Sequence, residues 1–240
     1  MLLRNNQNIK NKKIGILTYN ICHRKTYDTL CLLKARGYKN IIVYALPLHY
    51  KKKFKPLYEH RPQLLNQINS LEDFCKNLEY IYSPINDMKE IELEENSLIL
   101  VCGAGIIPEK VVKKYKVINS HPGYIPKVRG LDSLKWAIVN KQKIGVTTHF
   151  IGDEVDAGYI IEQKIIPLYK NDTFHALTQR VYETEVCMLV DAIEKCNGNL
   201  EYRSAGNYEL HKRMPKEIEE TLLEKFEKLK NEIGIGDENV

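Results

Sequence analysis

The chain has 240 residues, 43% of them hydrophobic and 28% charged, with a formal net charge of +5 at pH 7. This composition is ordinary for a globular chain that buries a hydrophobic core, in one large α/β domain or in one domain with a short extension. The positive charge is mild, and Lys and Glu residues are interspersed along the chain. It permits an anionic substrate, and we expect no nucleic-acid partner.

Cysteine usage and the lengths of the apolar runs indicate the compartment. The six cysteines are irregularly spaced and form no C-x-x-C pair, so we interpret them as reduced thiols, several of them packed as small hydrophobic side chains. The N-terminus is polar, and no apolar run is long enough for a signal peptide or a membrane helix. We therefore expect a cytoplasmic protein with no membrane partner.

Apolar runs in the first half of the chain predict strands that alternate with helices. The runs typical of strands lie at 13–18, 40–46, 79–82, 97–102 and 116–120. Helical spacing of apolar residues predicts helices at 24–36, 62–77 and 108–114. The run at 97–102 is almost continuously apolar, which is typical of a strand inside a parallel sheet.

The pattern changes in the second half of the chain. After a helix predicted at 133–140, two strands are predicted at 144–150 and 159–167, and a polar loop joins them. A long helix is predicted at 172–196, with Asp172 as its N-cap. Residues 200–210 fit a short hairpin. Residues 215–230 fit an amphipathic helix, and its apolar face leads us to expect a homodimer.

Together these elements predict an α/β fold. The expected architecture is a mostly parallel, Rossmann-like twisted sheet with helices on both faces, plus a short C-terminal hairpin and helix. In such sheets ligands bind beyond the carboxyl ends of the strands. Asn119 and His121 lie at one such end, and Gly103 lies at another.

Asn119 and His121 are candidates for chemistry because they lie one residue apart at a strand end, so that their side chains point to the same side. An Asn amide donates a hydrogen bond to a carbonyl oxygen, and a His exchanges a proton near neutral pH. Together they suit the oxyanion of acyl transfer, and a loop carboxylate such as Asp156 suits orienting the imidazole or relaying a proton. An isolated pair of this kind is weak evidence, since a His near a strand end is commonly structural.

The residues around this pair form a longer and more specific pattern. Asn119-x-His121-Pro122-Gly123 is followed by Ile125-Pro126-Lys127-x-Arg129-Gly130, by Gly145-Val146-Thr147 with His149, and by Asp153-x-x-Asp156-x-Gly158-x-Ile160. In order and spacing this segment resembles the folate-dependent formyltransferases, which act on glycinamide ribonucleotide, methionyl-tRNA or amino sugars. The resemblance covers roughly residues 13–195. We therefore interpret residues 1–200 as a formyltransferase catalytic domain and residues 201–240 as a C-terminal extension.

The resemblance implies roles for individual residues. Asn119, His121 and Asp156 match the catalytic trio of the family, and N10-formyltetrahydrofolate is the implied co-substrate, with no metal. The family binds the pterin ring in a pocket built mainly from backbone. The residues that match this pocket are Ile106, Ile107, Asn140, Ile144, Ile151, Gly152 and Asp153. Core packing is an equally good interpretation of the two isoleucines at 106 and 107, and His149 is either a supporting residue of the site or a core histidine.

Departures from the family pattern favour one group within it. Residues 18–22 do not match the Gly-Ser-Gly type phosphate loop of the purine enzyme, and the roughly 40 residues after the long helix are too few for the C-terminal barrel of the tRNA enzyme. The chain is most similar to the sugar N-formyltransferases, which act on nucleotide-linked amino sugars. The alternatives are a phosphoribosylglycinamide or methionyl-tRNA formyltransferase, and a non-catalytic folate- or nucleotide-binding module.

A nucleotide sugar needs hydrogen-bond donors for its diphosphate and a surface for its base. The turn before the first predicted helix offers backbone N–H groups and basic side chains to an anion. We expect the acceptor to contact Asn20, His23, Arg24 and Lys25 there, and its base to stack on Tyr208 in the extension. A solvated turn and ordinary hairpin packing are the respective alternatives.

Overall fold

A computed structural model of the protein describes residues 9–21, 23–48, 55–61, 70–152 and 154–236. Its main sheet has eight strands in the order β3-β2-β1-β4-β5-β7-β8-β9, and a second sheet pairs β6 with β10. The strands are β1 Ile14–Tyr19, β2 Ile41–Leu46, β3 Ile81–Pro84, β4 Leu98–Val101, β5 Lys116–His121, β6 Arg129–Gly130, β7 Gly145–Phe150, β8 Gly158–Ile165, β9 Glu201–Arg203 and β10 Leu210–His211.

The main sheet is parallel on one side and antiparallel on the other. The pairs from β3 through β5 are parallel, whereas β7, β8 and β9 add antiparallel pairs. The chain runs outward from β1 through β2 to β3, and then returns to the opposite side of β1 to form β4 and β5. Such a reversal opens a crevice at the carboxyl ends of the central strands.

Helices cover both faces of the sheet, as predicted. They are α1 Arg24–Ala35, α2 Leu71–Asn77, α3 Glu109–Lys114, α4 Ser133–Val139, α5 Phe174–Lys195, α6 Lys216–Glu219 and α7 Leu222–Ile233. Neighbouring residues of a strand point to opposite faces. Ile16 of β1 accordingly belongs to a hydrophobic cluster with Leu30 of α1 and Leu189 of α5, whereas Leu17 belongs to a cluster with Val111 of α3. The predicted α/β fold is therefore confirmed.

Three predicted helices differ in detail. The helix predicted at 62–77 is α2, which begins after Ser70, whose side chain accepts a hydrogen bond from the backbone N–H of Asp73; residues 62–69 lie outside the described residues. The N-cap of α5 is Thr173, whose side chain accepts from Ala176 N. The carboxylate of Asp172 is instead engaged by Tyr169 N and Arg180. The single C-terminal helix is divided into α6 and α7.

The predicted C-terminal hairpin does not form, because its two strands pair with different partners. β9 adds to the edge of β8, and β10 pairs with β6. Gly130 of β6 makes the second pairing possible: its φ is +87°, and a Cβ at this position would lie 2.1 Å from the carbonyl oxygen of His211. A residue with a side chain would therefore push β10 away.

The C-terminal extension packs into the core of the molecule. Leu222, Phe226 and Leu229 of α7 are buried in one cluster with Leu134 and Ile138 of α4. Burying a side chain of this size contributes roughly 1.5–3 kcal/mol, so α7 stabilises the main domain substantially. Most of the apolar face that led us to expect a homodimer is therefore covered within the chain, and Leu223 is left 38% exposed. Among the residues described, no helix combines the length and the apolar character needed to cross a membrane.

Candidate active site

A cleft of about 660 Å³ opens at the carboxyl ends of β1, β4 and β5, where the strand order reverses. The chain brings distant segments together around it. Its lining includes Tyr19, His23, Lys25, His60, Arg61, residues 101–104, residues 119–122, residues 130–133, Val155, Asp156, Glu185 and residues 210–213. Asn119, His121 and Asp156 all face this one cleft, as the sequence predicts.

His121 is the last residue of β5, and its imidazole is held from both sides. Nε2 donates to the carbonyl oxygen of Val128 at 3.0 Å and lies 3.2 Å from Oγ of Ser133. The Ser133 hydroxyl itself donates to the carbonyl oxygen of Gly130, so its oxygen is an acceptor toward His121. Two acceptors around Nε2 require a proton on that nitrogen. Nδ1 lies 3.4 Å from Oδ1 of Asp156 and is left as the side that exchanges a proton.

Asp156 lies in the loop between β7 and β8 and is fixed by its own backbone and by a hydrogen bond. Its φ is +47°, a left-handed conformation that is uncommon for residues other than glycine. Oδ2 accepts from the backbone N–H of Gly130 at 2.8 Å, which leaves Oδ1 directed at His121. The 3.4 Å separation is longer than a normal hydrogen bond, and contacts of this kind commonly tighten when reactants bind.

Gly123 is required by the position of the His121 imidazole. A Cβ at residue 123 would lie 2.5 Å both from Nε2 of His121 and from the carbonyl oxygen of Val128. Either the ring or the loop that orients it would have to move. This contact gives a physical reason for the glycine two residues after His121.

His149 supports the same site from the neighbouring strand. It pairs in register with Asn119, and its Nε2 lies 3.9 Å from Oδ1 of Asp156. Burial lowers the pKa of its imidazole, although Asp156 acts in the opposite direction. Nδ1 donates to the carbonyl oxygen of Phe150, while Nε2 makes no hydrogen bond within the described ranges. His149 is therefore a buried residue of β7 whose imidazole lies within 3.9 Å of Asp156.

A buried ionic cluster forms the other side of the cleft. The carboxylate of Glu185 accepts two hydrogen bonds from Arg61, at 2.6 and 2.7 Å, and pairs with Lys25 at 2.7 Å. Lys25 also donates to the carbonyl oxygen of Ser120, directly before His121. Burial alone would raise the pKa of Glu185, but Arg61 and Lys25 outweigh it and lower the pKa. Lys25 and Arg61 thus both contact Glu185 beside the end of β5.

The residues predicted to bind the acceptor are divided by the structure. His23 and Lys25 line the cleft, and burial, followed by Arg61 and Lys25, lowers the pKa of His23 to about 4. Arg24 instead pairs with Asp28. Asn20 accepts a hydrogen bond from the Tyr82 hydroxyl, and Tyr208 is 43% exposed outside the lining, with its carbonyl bound by Arg129.

The residues predicted to form the folate pocket are also divided. Ile107 and Ile151 pack against one hydrophobic cluster, and Ile106 nearby in sequence is 91% exposed. Gly152 is exposed, and Asp153 lies outside the described residues. The two remaining predicted members lie at the end of α4 and after it. Ile144 is buried in the cluster that contains α4 and α7, and Asn140 is the exposed C-cap of α4.

Several residues of the cleft were not predicted from the sequence. Asp132 is 6% exposed and has a φ of +53°, and its carboxylate binds Met214 N and Arg213. His60 lies 3.7 Å from the same carboxylate. In the sequence, the one feature that points to a role for Asp132 is its position two residues after the Arg129-Gly130 motif. Glu185 and the 55–61 segment carry no local pattern that points to a site.

Comparisons with known proteins relate the chain to formyltransferases. A family model described as Formyl transferase matches residues 84–193, the range that holds Asn119, His121 and Asp156. The chain is 39% identical over 99 residues to the trifunctional purine biosynthetic protein adenosine-3 of Gallus gallus. The aligned region is 39% of this chain and 10% of that protein. It is 34% identical over 123 residues to the methionyl-tRNA formyltransferase of Fusobacterium nucleatum. This aligned region is 48% of this chain and 40% of that protein. The chain thus spans less than half the length of these curated relatives.

The fold is similar to that of solved formyltransferases. An N-formyltransferase from Helicobacter canadensis, solved in complex with folinic acid and dTDP-3-aminofucose, superposes with a TM-score of 0.60 and 21% sequence identity. The superposition covers 89% of this chain and 80% of that one. At this identity the likeness concerns the fold. The chain is thus similar to the formyl transferases in sequence over residues 84–193 and in fold over most of its length.

Proposed function

We propose that the protein transfers a formyl group from N10-formyltetrahydrofolate to the primary amine of a nucleoside-diphosphate-linked amino sugar, such as a dTDP-4-amino-4,6-dideoxyhexose. The observation that carries this proposal is the grouping of Asn119, His121 and Asp156 in one cleft that Lys25 and Arg61 also line. The first part of the site suits acyl transfer, and the second suits an anionic acceptor.

The proposed reaction uses the three residues in distinct roles. The amine nitrogen forms a bond to the formyl carbon, the bond from that carbon to N10 breaks, and a proton passes from the amine to N10. Asn119 donates to the oxyanion that develops on the formyl oxygen. His121 exchanges its proton through Nδ1, because Nε2 is engaged by Val128 and Ser133. Asp156 orients the imidazole and accepts the proton that the amine nitrogen loses, from where the proton passes to N10.

The donor is proposed to bind on the side of Ile106, Ile107 and Ile151. The side chain of Ile106 is 91% exposed, and it offers an apolar contact to the flat pterin ring. The Helicobacter canadensis enzyme was solved with folinic acid, which is a formylated folate. Support for the donor therefore comes from this exposed residue together with the common fold.

The acceptor is proposed to bind on the side of Lys25 and Arg61. The ammonium of Lys25 and the guanidinium of Arg61 both line the cleft, and side chains of these two kinds bind phosphate oxygens. A sugar amine is also easier to deprotonate than a lysine-type amine, and only a neutral amine attacks the formyl carbon. Among the neighbours of the same fold, the Helicobacter canadensis enzyme holds dTDP-3-aminofucose.

The purine and tRNA enzymes are the competing functions, since relatives of both kinds match the chain. The test is a turnover panel with N10-formyltetrahydrofolate as donor. Its acceptors are dTDP-3-aminofucose, a dTDP-4-amino-4,6-dideoxyhexose, glycinamide ribonucleotide and methionyl-tRNA, and product is detected by mass. We expect turnover of a sugar nucleotide. Turnover of glycinamide ribonucleotide or methionyl-tRNA alone would overturn the acceptor, and no turnover at all would favour a non-catalytic binding module.

A further inference from the structure

The segment 55–61 delivers two side chains to the acceptor side of the cleft. Arg61 binds both carboxylate oxygens of Glu185. His60 lies 3.7 Å from Asp132, and burial, followed by the charges of Lys135, Arg61 and Arg213, lowers the pKa of its imidazole to about 3. His60 is therefore neutral at physiological pH. The segment belongs to no helix or strand, so something outside it has to fix its course.

Glu219 holds the backbone of this segment. Its carboxylate accepts from Leu57 N at 3.1 Å and from Tyr58 N at 3.3 Å. It also forms a buried ion pair with Lys135 of α4, and both side chains are 0% exposed. Burial would raise the pKa of Glu219, but Lys135 and the two backbone N–H groups lower it overall. One ionised carboxylate on α6 thus joins α4 to the segment that carries His60 and Arg61.

The stability of the fold alone does not require a buried ion pair between Lys135 and Glu219. A buried ion pair replaced by apolar side chains of similar volume is often neutral or stabilising, because burying the charges costs solvation. Lys135 and Glu219 occupy a region next to the apolar cluster of α4 and α7, where an apolar pair would also pack. The contacts that an apolar pair would not reproduce are the two hydrogen bonds to Leu57 and Tyr58.

We infer that Glu219 is a positioning residue for the acceptor half of the cleft: it fixes the backbone at Leu57 and Tyr58 so that His60 and Arg61 face the anionic acceptor. The identity of that acceptor rests on the proposed function. The placement of Arg61 beside Glu185 and Lys25 does not, since it follows from the ionic contacts themselves. The C-terminal extension therefore acts on the site through a residue that does not line the cleft.

The test separates positioning from stability by two double variants. Glu219→Leu with Lys135→Met replaces the ion pair by apolar side chains, so the fold is retained but the acceptors for Leu57 N and Tyr58 N are lost. Glu219→Gln with Lys135→Met also removes both charges but keeps an amide oxygen as an acceptor. We expect the first variant to raise the KM for the acceptor by about tenfold or more with little change in kcat or in the donor KM. The second should recover much of this loss.

Asp172→Asn is the matched control, because Asp172 is a buried carboxylate that likewise binds a backbone N–H and a cation, away from the cleft. It should lower stability without changing the acceptor KM. Calorimetry with inorganic pyrophosphate repeats the comparison without any sugar, and the Glu219→Leu double variant should bind it more weakly than wild type. Unchanged acceptor KM and pyrophosphate affinity in that folded variant would overturn the inference, as would a wild type that does not bind pyrophosphate. A wild type that binds pyrophosphate but uses no sugar nucleotide would overturn only the proposed acceptor.

Discussion

The His121→Asn variant should lose about 10²–10³-fold in kcat while the KM for formyl-tetrahydrofolate changes little. An Asn side chain ends short of the position of His121 Nε2, so the hydrogen bond to the carbonyl oxygen of Val128, 3.0 Å long in the wild type, is lost as well. The Asn side chain has no group that exchanges a proton toward Asp156. The loss therefore falls on the chemical step, and steady-state kinetics with the donor and acceptor varied separately measure it.

His175→Asn serves as the control for this variant. His175 lies on the exposed side of α5 and is absent from the lining of the cleft, so its replacement should leave turnover unchanged. Circular dichroism checks that His121→Asn is folded. If the folded variant turns over at nearly the wild-type rate, the proposed role of His121 is wrong.

Asp156→Asn should lower kcat by about 10²-fold or more and leave donor affinity almost unchanged. The amide oxygen of the new side chain can keep the hydrogen bond from Gly130 N, which is 2.8 Å long in the wild type. The negative charge 3.4 Å from His121 Nδ1 is lost. With it goes the group proposed to orient the imidazole and to accept a proton from the amine. Single-turnover rates together with folate binding measured by fluorescence test both halves of this expectation.

Glu154→Gln offers a matched control from the same loop. Glu154 is exposed, and its carboxylate accepts from Ala205 N without lining the cleft. Its replacement removes one negative charge two residues from Asp156, so general electrostatic effects on the loop are included in the comparison. A similar loss of rate in both variants would contradict a specific role for the Asp156 carboxylate.

The sequence predicted best those elements whose pattern is local. Residues 24–36 were predicted as a helix and form α1 at Arg24–Ala35, because Leu30 and Leu33 repeat at the spacing that buries one helical face. Asn119 and His121 were predicted at a strand end for a similar reason, since the buried run before them marks β5. Local spacing was sufficient because each of these features is determined by residues close together in the chain.

Features that depend on distant partners were predicted poorly. Residues 200–210 look like a hairpin, yet the free edge of β8 and the close approach allowed by Gly130 provide better partners for the two strands. Asp172 has the character of an N-cap, but Arg180 engages its carboxylate and Thr173 caps the helix instead. In each case tertiary contacts outweighed a local preference.

The same distinction applies to the site itself. His60, Arg61 and Glu185 meet only because residues separated by 124 positions in the chain form one ionic contact. No spacing rule brings such residues together. Ile144, in contrast, was assigned to the folate pocket by resemblance, and the structure buries it in the cluster of α4 and α7. A family pattern identifies a segment of the chain, but the packing of each side chain also depends on elements that lie far from it in the sequence.

In the proposed reaction, a formyl group moves from the folate to a sugar amine in the cleft of Asn119, His121 and Asp156. The most direct test supplies N10-formyltetrahydrofolate carrying an isotopic label in its formyl group, with dTDP-3-aminofucose or a dTDP-4-amino-4,6-dideoxyhexose as acceptor, and locates the label by mass spectrometry and NMR. We predict a labelled formamide on the sugar nitrogen with wild-type protein, and almost none with His121→Asn. Label that stays on the folate or appears as free formate with the wild-type protein would contradict the account.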